Sequence, residues 1–241
     1  MKRTLQRNPI VFILIISFFS VFAIAKLDVL SLEMESQTLR KGKKITVKSN
    51  IYYRLLGSKL VTQTTFPFES ISITDAHGEM TYYEFKTNRV TMKRGEDYSS
   101  KGSFIYNFLN GKINDMGLPE MNMKLKNTEM EGKFVISNWV TANGNKKGLQ
   151  KIIVAHENGL PVYMCFYNEE NTAMQKVYYN NYKDVGLIKL PTLITEIAFE
   201  NETKDSVITR RYYKNIKTNN DVETKYLDFK IPQNAQIERK Q

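Results

Sequence analysis

The sequence predicts a mainly β protein whose many antiparallel strands curl into one sheet. Three observations carry that expectation. Apolar residues alternate with polar ones at period two through most of the chain. Tyr, Phe, Ile, Val and Thr dominate those runs, and turn residues separate them at short intervals. Helical spacing is scarce.

The first element is not part of that sheet. Lys2, Arg3 and Arg7 precede an apolar run from Ile10 to Ile24, interrupted by Ser17 and Ser20, that ends in Ala23-Ile24-Ala25. A basic start, an apolar middle and a small-residue end describe a cleavable secretory signal over residues 1–25. The run is also shorter than the ~20 apolar residues a spanning helix needs. A lipid-anchored export signal requires a Cys after the cleavage site, and Lys26 stands there. The sole cysteine, Cys165, rules out an internal disulfide, and within Val162–Tyr167 it reads as a buried strand residue.

Loss of residues 1–25 removes three basic and no acidic side chains, so the formal charge falls from +10 to +7. The basic residues (Arg40, Lys41, Lys43 and Lys44; Lys146 and Lys147; Arg210 and Arg211) have acidic residues between them. None lies in a nucleic-acid motif, so no nucleic-acid partner is expected. Anionic head groups or acidic partners remain open. Residues 26–241 fit one domain, without linker or repeat, and a monomer is expected.

The mature chain begins with Leu27–Leu39, where Leu27, Leu30 and Met34 could share a helical face, yet Leu30, Leu32 and Met34 alternate as in a strand; the reading leans to strand. From 45 to 55 the alternation is plain, with Ile45, Val47, Ile51, Tyr53 and Leu55 on one face. Ile71 and Ile73 alternate within Ser70–Thr74, as do Val90 and Met92 within Arg89–Lys93; Phe134, Ile136, Leu193, Ile197 and Phe199 continue the pattern. Turn signals include Leu56-Gly57-Ser58, Asp75–Gly78, Asn143-Gly144-Asn145, Glu157-Asn158-Gly159 and Asn219-Asn220-Asp221. The best helix is Ser103–Asn110, with Phe104, Ile105, Phe108 and Leu109 at helical spacing behind Ser99 and Ser100 as caps, and Asp115–Leu118 as a second turn.

No familiar active site is present. His77 and His156 have no metal-ligand spacing, and His77 sits in a turn. Phosphate loop, Gly-x-Ser-x-Gly elbow and Ser-x-x-Lys are missing. Glu129 and Glu131 mark the wet face of a strand. The protein is expected not to be an enzyme, with no catalytic, metal or cofactor-binding residues, although an unrecognised hydrolase whose carboxylates meet only in space stays open. The 14 Tyr, 13 Phe and 10 Met suit an ordinary β core, or an adaptable apolar cavity.

The stretch Phe66–Gly78, followed by Glu79-Met80-Thr81-Tyr82-Tyr83, resembles a segment of the periplasmic outer-membrane lipoprotein carriers of LolA type. In both, a Pro precedes a short strand, an Asp-Gly turn and a second strand ending in an aromatic. Further matches follow in order: Asn138-Trp139; Ile152-Ile153-Val154 joined by Glu157–Pro161 to Val162-Tyr163; Tyr178–Tyr182 with Lys189-Leu190-Pro191; and Phe229-Lys230-Ile231-Pro232. The resemblance spans nearly all of the mature chain. It implies a mainly β (α+β) fold: an incomplete, strongly curved antiparallel β-barrel with a few short helices covering an apolar cavity.

By the same resemblance the protein is a soluble periplasmic carrier that shields acyl chains of lipoproteins between an inner-membrane donor and an outer-membrane acceptor. Other readings on this fold are a carrier for another lipid or apolar product, or a non-carrier envelope sensor or binding module. Candidate cavity residues are Ile51, Tyr53, Arg54, Ile73, Phe104, Phe108 and Trp139. The carrier reading expects Trp139, Phe104 and Phe108 against a dry cavity, and it fails if the barrel interior is filled by side chains. Two departures stand out. The amphipathic first helix of the family is unconvincing here. The family also has a lid-latching Arg followed by Pro, and the nearest match, Arg54, is followed by Leu55 and alternates to the face opposite Ile51 and Tyr53.

Overall fold

A computed structural model describes residues 27–142, 148–200 and 205–239. The expected signal sequence and the turn at Asn143-Gly144-Asn145 lie outside the described residues. Among the described residues period-two segments form fourteen strands. The first six are β1 (Val29–Arg40), β2 (Lys43–Arg54), β3 (Lys59–Phe66), β4 (Ser70–Thr74), β5 (Glu79–Glu84) and β6 (Arg89–Arg94). After one α-helix, α1 (Phe104–Leu109), come β7 (Met123–Glu131), β8 (Phe134–Thr141), β9 (Leu149–Glu157) and β10 (Leu160–Asn168). The last four are β11 (Ala173–Val185), β12 (Ile188–Phe199), β13 (Ser206–Thr218) and β14 (Gln236–Arg239).

All of them belong to one curved, unclosed sheet in the order β14-β6-β5-β4-β3-β2-β1-β13-β12-β11-β10-β9-β8-β7. Every neighbouring pair is antiparallel except β14, which runs parallel to β6 with Gln236 opposite Arg89. Tight turns set the registers. Lys41 and Gly42 join β1 to β2 with φ of 49° and 74°, and Asn158 and Gly159 join β9 to β10 with 51° and 76°; positive φ at both positions matches the twist of the flanking strands. The segment 27–39 is strand: Leu30 and Leu32 lie opposite Tyr53 and Ile51 of β2.

The two apolar clusters of the sheet lie on opposite faces and in different halves. One face, here the inner, gathers Leu30, Leu32, Ile51 and Tyr53 with Trp139, Ile152, Val154, Met164, Val177, Tyr179, Leu190, Ile194 and Tyr213 into one core. These come from β1, β2 and β8–β13. Across β3 and β4 the same face carries Thr62, Thr64, Ser70 and Ser72, which pair across the two strands. There the outer face is apolar instead. Tyr52, Val61 and Ile71 pack with Val222 and Leu227, and Val29, Ile73, Tyr226 and Phe229 join them.

Residues 222–235 therefore act as a strap over the outer face. Tyr226 stacks 5.4 Å from Tyr52, Phe229 lies 5.9 Å from Tyr83, and the Asn88 side chain donates to the Asn234 carbonyl at 3.0 Å. The strap ends by adding β14 to the edge of β6, which explains the single parallel pair: a chain crossing over a sheet can return alongside it in either sense.

The candidate site: an apolar inner face and its cover

Residues 99–122 lie over the inner face, between β6 and β7. Helix α1 starts at Ser103, whose Oγ accepts from the Tyr106 N–H at 3.1 Å. Ser103 is thus the cap, rather than Ser99 or Ser100; Ser99 caps the 3-10 turn Ser100–Gly102 by accepting from the Lys101 N–H. The helix stops at Asn110, whose side chain donates to the Tyr106 carbonyl at 2.8 Å, followed by Gly111 at φ 68°. Ile105, Tyr106, Asn107 and Phe108 are buried in succession. A helix buried on all sides must be enclosed, and the loop 112–121 with the 3-10 turn Leu118–Met121 encloses it. Lys112 knits that loop to the helix by donating to Glu120 and, at 3.3 Å, to the Tyr106 hydroxyl. Burial depresses the Lys112 pKa, but these two hydrogen bonds outweigh it, so the ammonium is raised above its ordinary value.

The cover meets the inner face mainly through rings. Phe104 lies 4.7 Å from Tyr213, and Phe108 lies 6.2 Å from Tyr179 and 6.1 Å from Tyr182. Met116 and Leu118 are buried in the same core. Polar ties are few. The Ser100 Oγ donates to the Ser58 carbonyl at 2.7 Å, the Ser100 N–H to the Asp75 carbonyl at 2.9 Å, and the His156 Nε2 to the Ile113 carbonyl at 2.7 Å. Burial holds the phenols of Tyr53, Tyr179, Tyr182 and Tyr213 above the ordinary tyrosine pKa, so they stay neutral. Further along the inner face, away from α1, the apolar surface ends at a polar cluster. The Arg211 guanidinium pairs with Glu196 at 2.7 Å and Gln175 donates to the other carboxylate oxygen.

The inner face and its cover interlock. Leu30, Tyr53, Leu118, Ile152 and Leu190 are 0% exposed and Phe108 is 1% exposed, so around α1 the protein's own side chains fill the interior, and Phe104, Phe108 and Trp139 meet packed side chains rather than the expected dry cavity. Two clefts open elsewhere, on the outer side of β1 and β2. They have volumes of about 160 and 210 Å³ and share Glu33 and Asn50 in their polar walls.

Five of the seven expected cavity residues meet in the inner core: Ile51, Tyr53, Phe104, Phe108 and Trp139. Ile73 does not join them, because Val61 opposite it faces outward, and it packs under the strap. Arg54 also lies outward, its Nη2 3.0 Å from Asp228 of the strap. Sequence reading missed Tyr179, Ile194 and Tyr213 as the bed of α1; their signal was alternation within long strands whose partner was unknown. Among the described residues no three His, Cys, Asp or Glu side chains gather to hold a metal, and no helix is long and apolar enough to cross a membrane.

No protein-family model matches the sequence, and no curated protein matches it. Solved structures do match the fold. A DUF1329 family protein from Desulfovibrio piger aligns at TM-score 0.58 and 14% identity, over 85% of this chain and 91% of its own. A LolA superfamily protein from Nitrosomonas europaea aligns at 0.56 and 9%, over 83% and 90%. A Vibrio parahaemolyticus domain named for outer membrane lipoprotein sorting aligns at 0.56 and 14%, over 83% and 89%. At these identities the likeness is one of fold: an incomplete, curved antiparallel β-barrel with few short helices.

Proposed function

We propose that this protein is a non-catalytic periplasmic carrier, exported by its amino-terminal signal, that hides the acyl chains of lipoproteins between inner-membrane donor and outer-membrane acceptor. The supporting observation is an apolar stretch of the inner face, built by β1, β2 and β8–β13 and covered by one six-residue helix and its loop. Burial of an acyl chain is worth about 0.8 kcal/mol per CH₂, so an aqueous crossing needs a sleeve. A helix of six residues has little stability of its own and is held by packing. Such a cover can be displaced. The packed interior speaks against a preformed cavity, so carriage requires cargo to take the place of Phe104 and Phe108 on the bed of Tyr179, Tyr182 and Tyr213. Non-directional apolar contacts leave cargo choice broad.

Native mass spectrometry with organic extraction tests this on the mature protein purified gently from the periplasm. Acylated peptides are the expected passengers. Free lipids or pigments would shift the cargo class. A ligand-free protein that also ignores a fluorescent fatty-acyl probe would refute carriage. The packed interior favours one second reading, a non-carrier envelope sensor or binding module on the same fold, which should retain no lipid under the same extraction.

A further inference from the structure

The β1–β2 hairpin and the neighbouring β3–β4 turn carry a surface that the carrier reading does not use. Pairing of β2 with β3 begins only at Lys48 opposite Phe66. Among the described residues Lys43–Val47 therefore has no partner on that side, and the hairpin tip projects beyond β3 by about 15 Å at strand rise. The tip reads Arg40-Lys41-Gly42-Lys43-Lys44. Arg40 is held by Glu200 at 2.6 Å. Lys41, Lys43 and Lys44 are exposed and make no ion pair among the described residues. Lys41 even occupies a left-handed position, φ 49°, where Asn or Gly would cost less.

Lysines alone would suit an unpaired edge, where charge discourages another strand from adding. They do not account for the large apolar side chains around them. Leu39 is 44% exposed, Ile45 58%, Phe66 50% and Phe68 64%. Apolar side chains flanked by exposed lysines match a bilayer surface, whose head groups supply negative charge above a shallow apolar layer.

We infer that the tip of the β1–β2 hairpin, together with the Phe66–Phe68 turn, docks onto the surface of an anionic phospholipid bilayer. Lys41, Lys43 and Lys44 supply the attraction, and Leu39, Ile45, Phe66 and Phe68 enter the head-group boundary. The contact is reversible and salt-sensitive. It would bring the protein to a membrane through a surface contact of its sheet, and it stands whether or not the inner face carries acyl chains.

The test is co-sedimentation of the chain from Lys26 onward, which contains every strand of the sheet, with vesicles of phosphatidylcholine alone or mixed with phosphatidylglycerol. Binding is expected only to the mixed vesicles and should weaken as salt rises. The variant Lys41→Gln/Lys43→Gln/Lys44→Gln should lose about fivefold in affinity per lysine, about a hundredfold together. The variant Ile45→Ser/Phe66→Ser/Phe68→Ser, with charge unchanged, should also bind the mixed vesicles more weakly. Substituting the equally exposed Lys124, Lys126 and Lys183 by Gln should leave binding within about twofold. Equal binding to neutral vesicles, no binding to anionic ones, a control variant that falls as far as the tip variant, or a serine variant that binds undiminished would each overturn the proposal.

Discussion

Replacing Phe108 by Ala should destabilise the protein and yet improve its binding of acyl chains. The side chain is 1% exposed and sits among the rings of Phe104, Tyr179 and Tyr182. Its truncation should cost about 3–5 kcal/mol, from lost transfer energy and from a void that rings on a rigid sheet cannot close. Phe108 belongs to the cover rather than to the sheet, so much of that loss falls on the seating of α1. If cargo binds only the displaced-cover state, apparent affinity is the intrinsic affinity scaled by the fraction of molecules in that state. Each ~1.4 kcal/mol taken from the seated state then raises affinity tenfold until the open state predominates. Even half of the lower figure gives about a tenfold gain. Urea unfolding followed by circular dichroism measures the first effect, and titration of a fluorescent fatty-acyl probe the second. Ile71→Ala is the control: it removes a fully buried side chain from the outer cluster, costing about 2–5 kcal/mol without touching the cover. Unchanged or weakened probe binding in Phe108→Ala, alongside the loss of stability, would refute the displaced-cover mechanism.

Other expectations follow from single residues. Gly78 has φ +80°, and a Cβ there would stand 2.3 Å from the Gly95 carbonyl oxygen. Gly78→Ala should cost about 2 kcal/mol or more in urea unfolding, and a loss below about 0.5 kcal/mol would contradict that geometry. Arg54→Met removes an ion pair whose side chains are 29% and 59% exposed, so stability should change by at most about 1 kcal/mol. Its outward position predicts unaltered acyl-probe affinity; a tenfold change would place Arg54 on the path of the cargo. Leu227→Ala, at a strap residue 0% exposed, should cost about 2–5 kcal/mol and expose amides of β3–β6 to hydrogen exchange before those of β9–β11. For pH, the phenols of Tyr53, Tyr179, Tyr182 and Tyr213 titrate higher folded than unfolded, so the folded state keeps protons the unfolded state sheds. Their contribution is complete below the ordinary phenol pKa of about 10 and is lost as pH climbs past it. The urea midpoint should fall in that alkaline range, and Tyr213→Phe should shallow the fall.

Strands were legible wherever alternation was strict. Ile51 and Tyr53 share a face with Leu30 and Leu32, as period two required, and Ser70–Thr74 is strand to the residue. Alternation fixes which side chains share a face of one strand but not which way that face points. Hence Ile73 could not be told from Ile51 by pattern, although the two pack on opposite sides of the sheet. The short helix was readable from Phe104, Ile105, Phe108 and Leu109, but its cap was not. Three serines stand within five residues, and only backbone geometry selects Ser103. The strap was hidden because Val222, Tyr226, Leu227 and Phe229 follow no single period: an extended crossing segment is shaped by the surface beneath it.

That strap ties stability to chain order. The strands β3–β6 form early in the sequence and lie next to one another, so local hairpins can assemble from them quickly. Their apolar side nevertheless stays wet until residues some 146 positions later arrive, the separation between Asn88 and Asn234. A nascent chain ending before Val222 would show water the faces of Val61, Ile71 and Ile73 beside an unprotected β6 edge, the combination most prone to pair with another chain. The stickiest surface is thus concealed only once residues 222–235 have followed, which makes this protein most dependent on chaperoning until that strap is free to fold back.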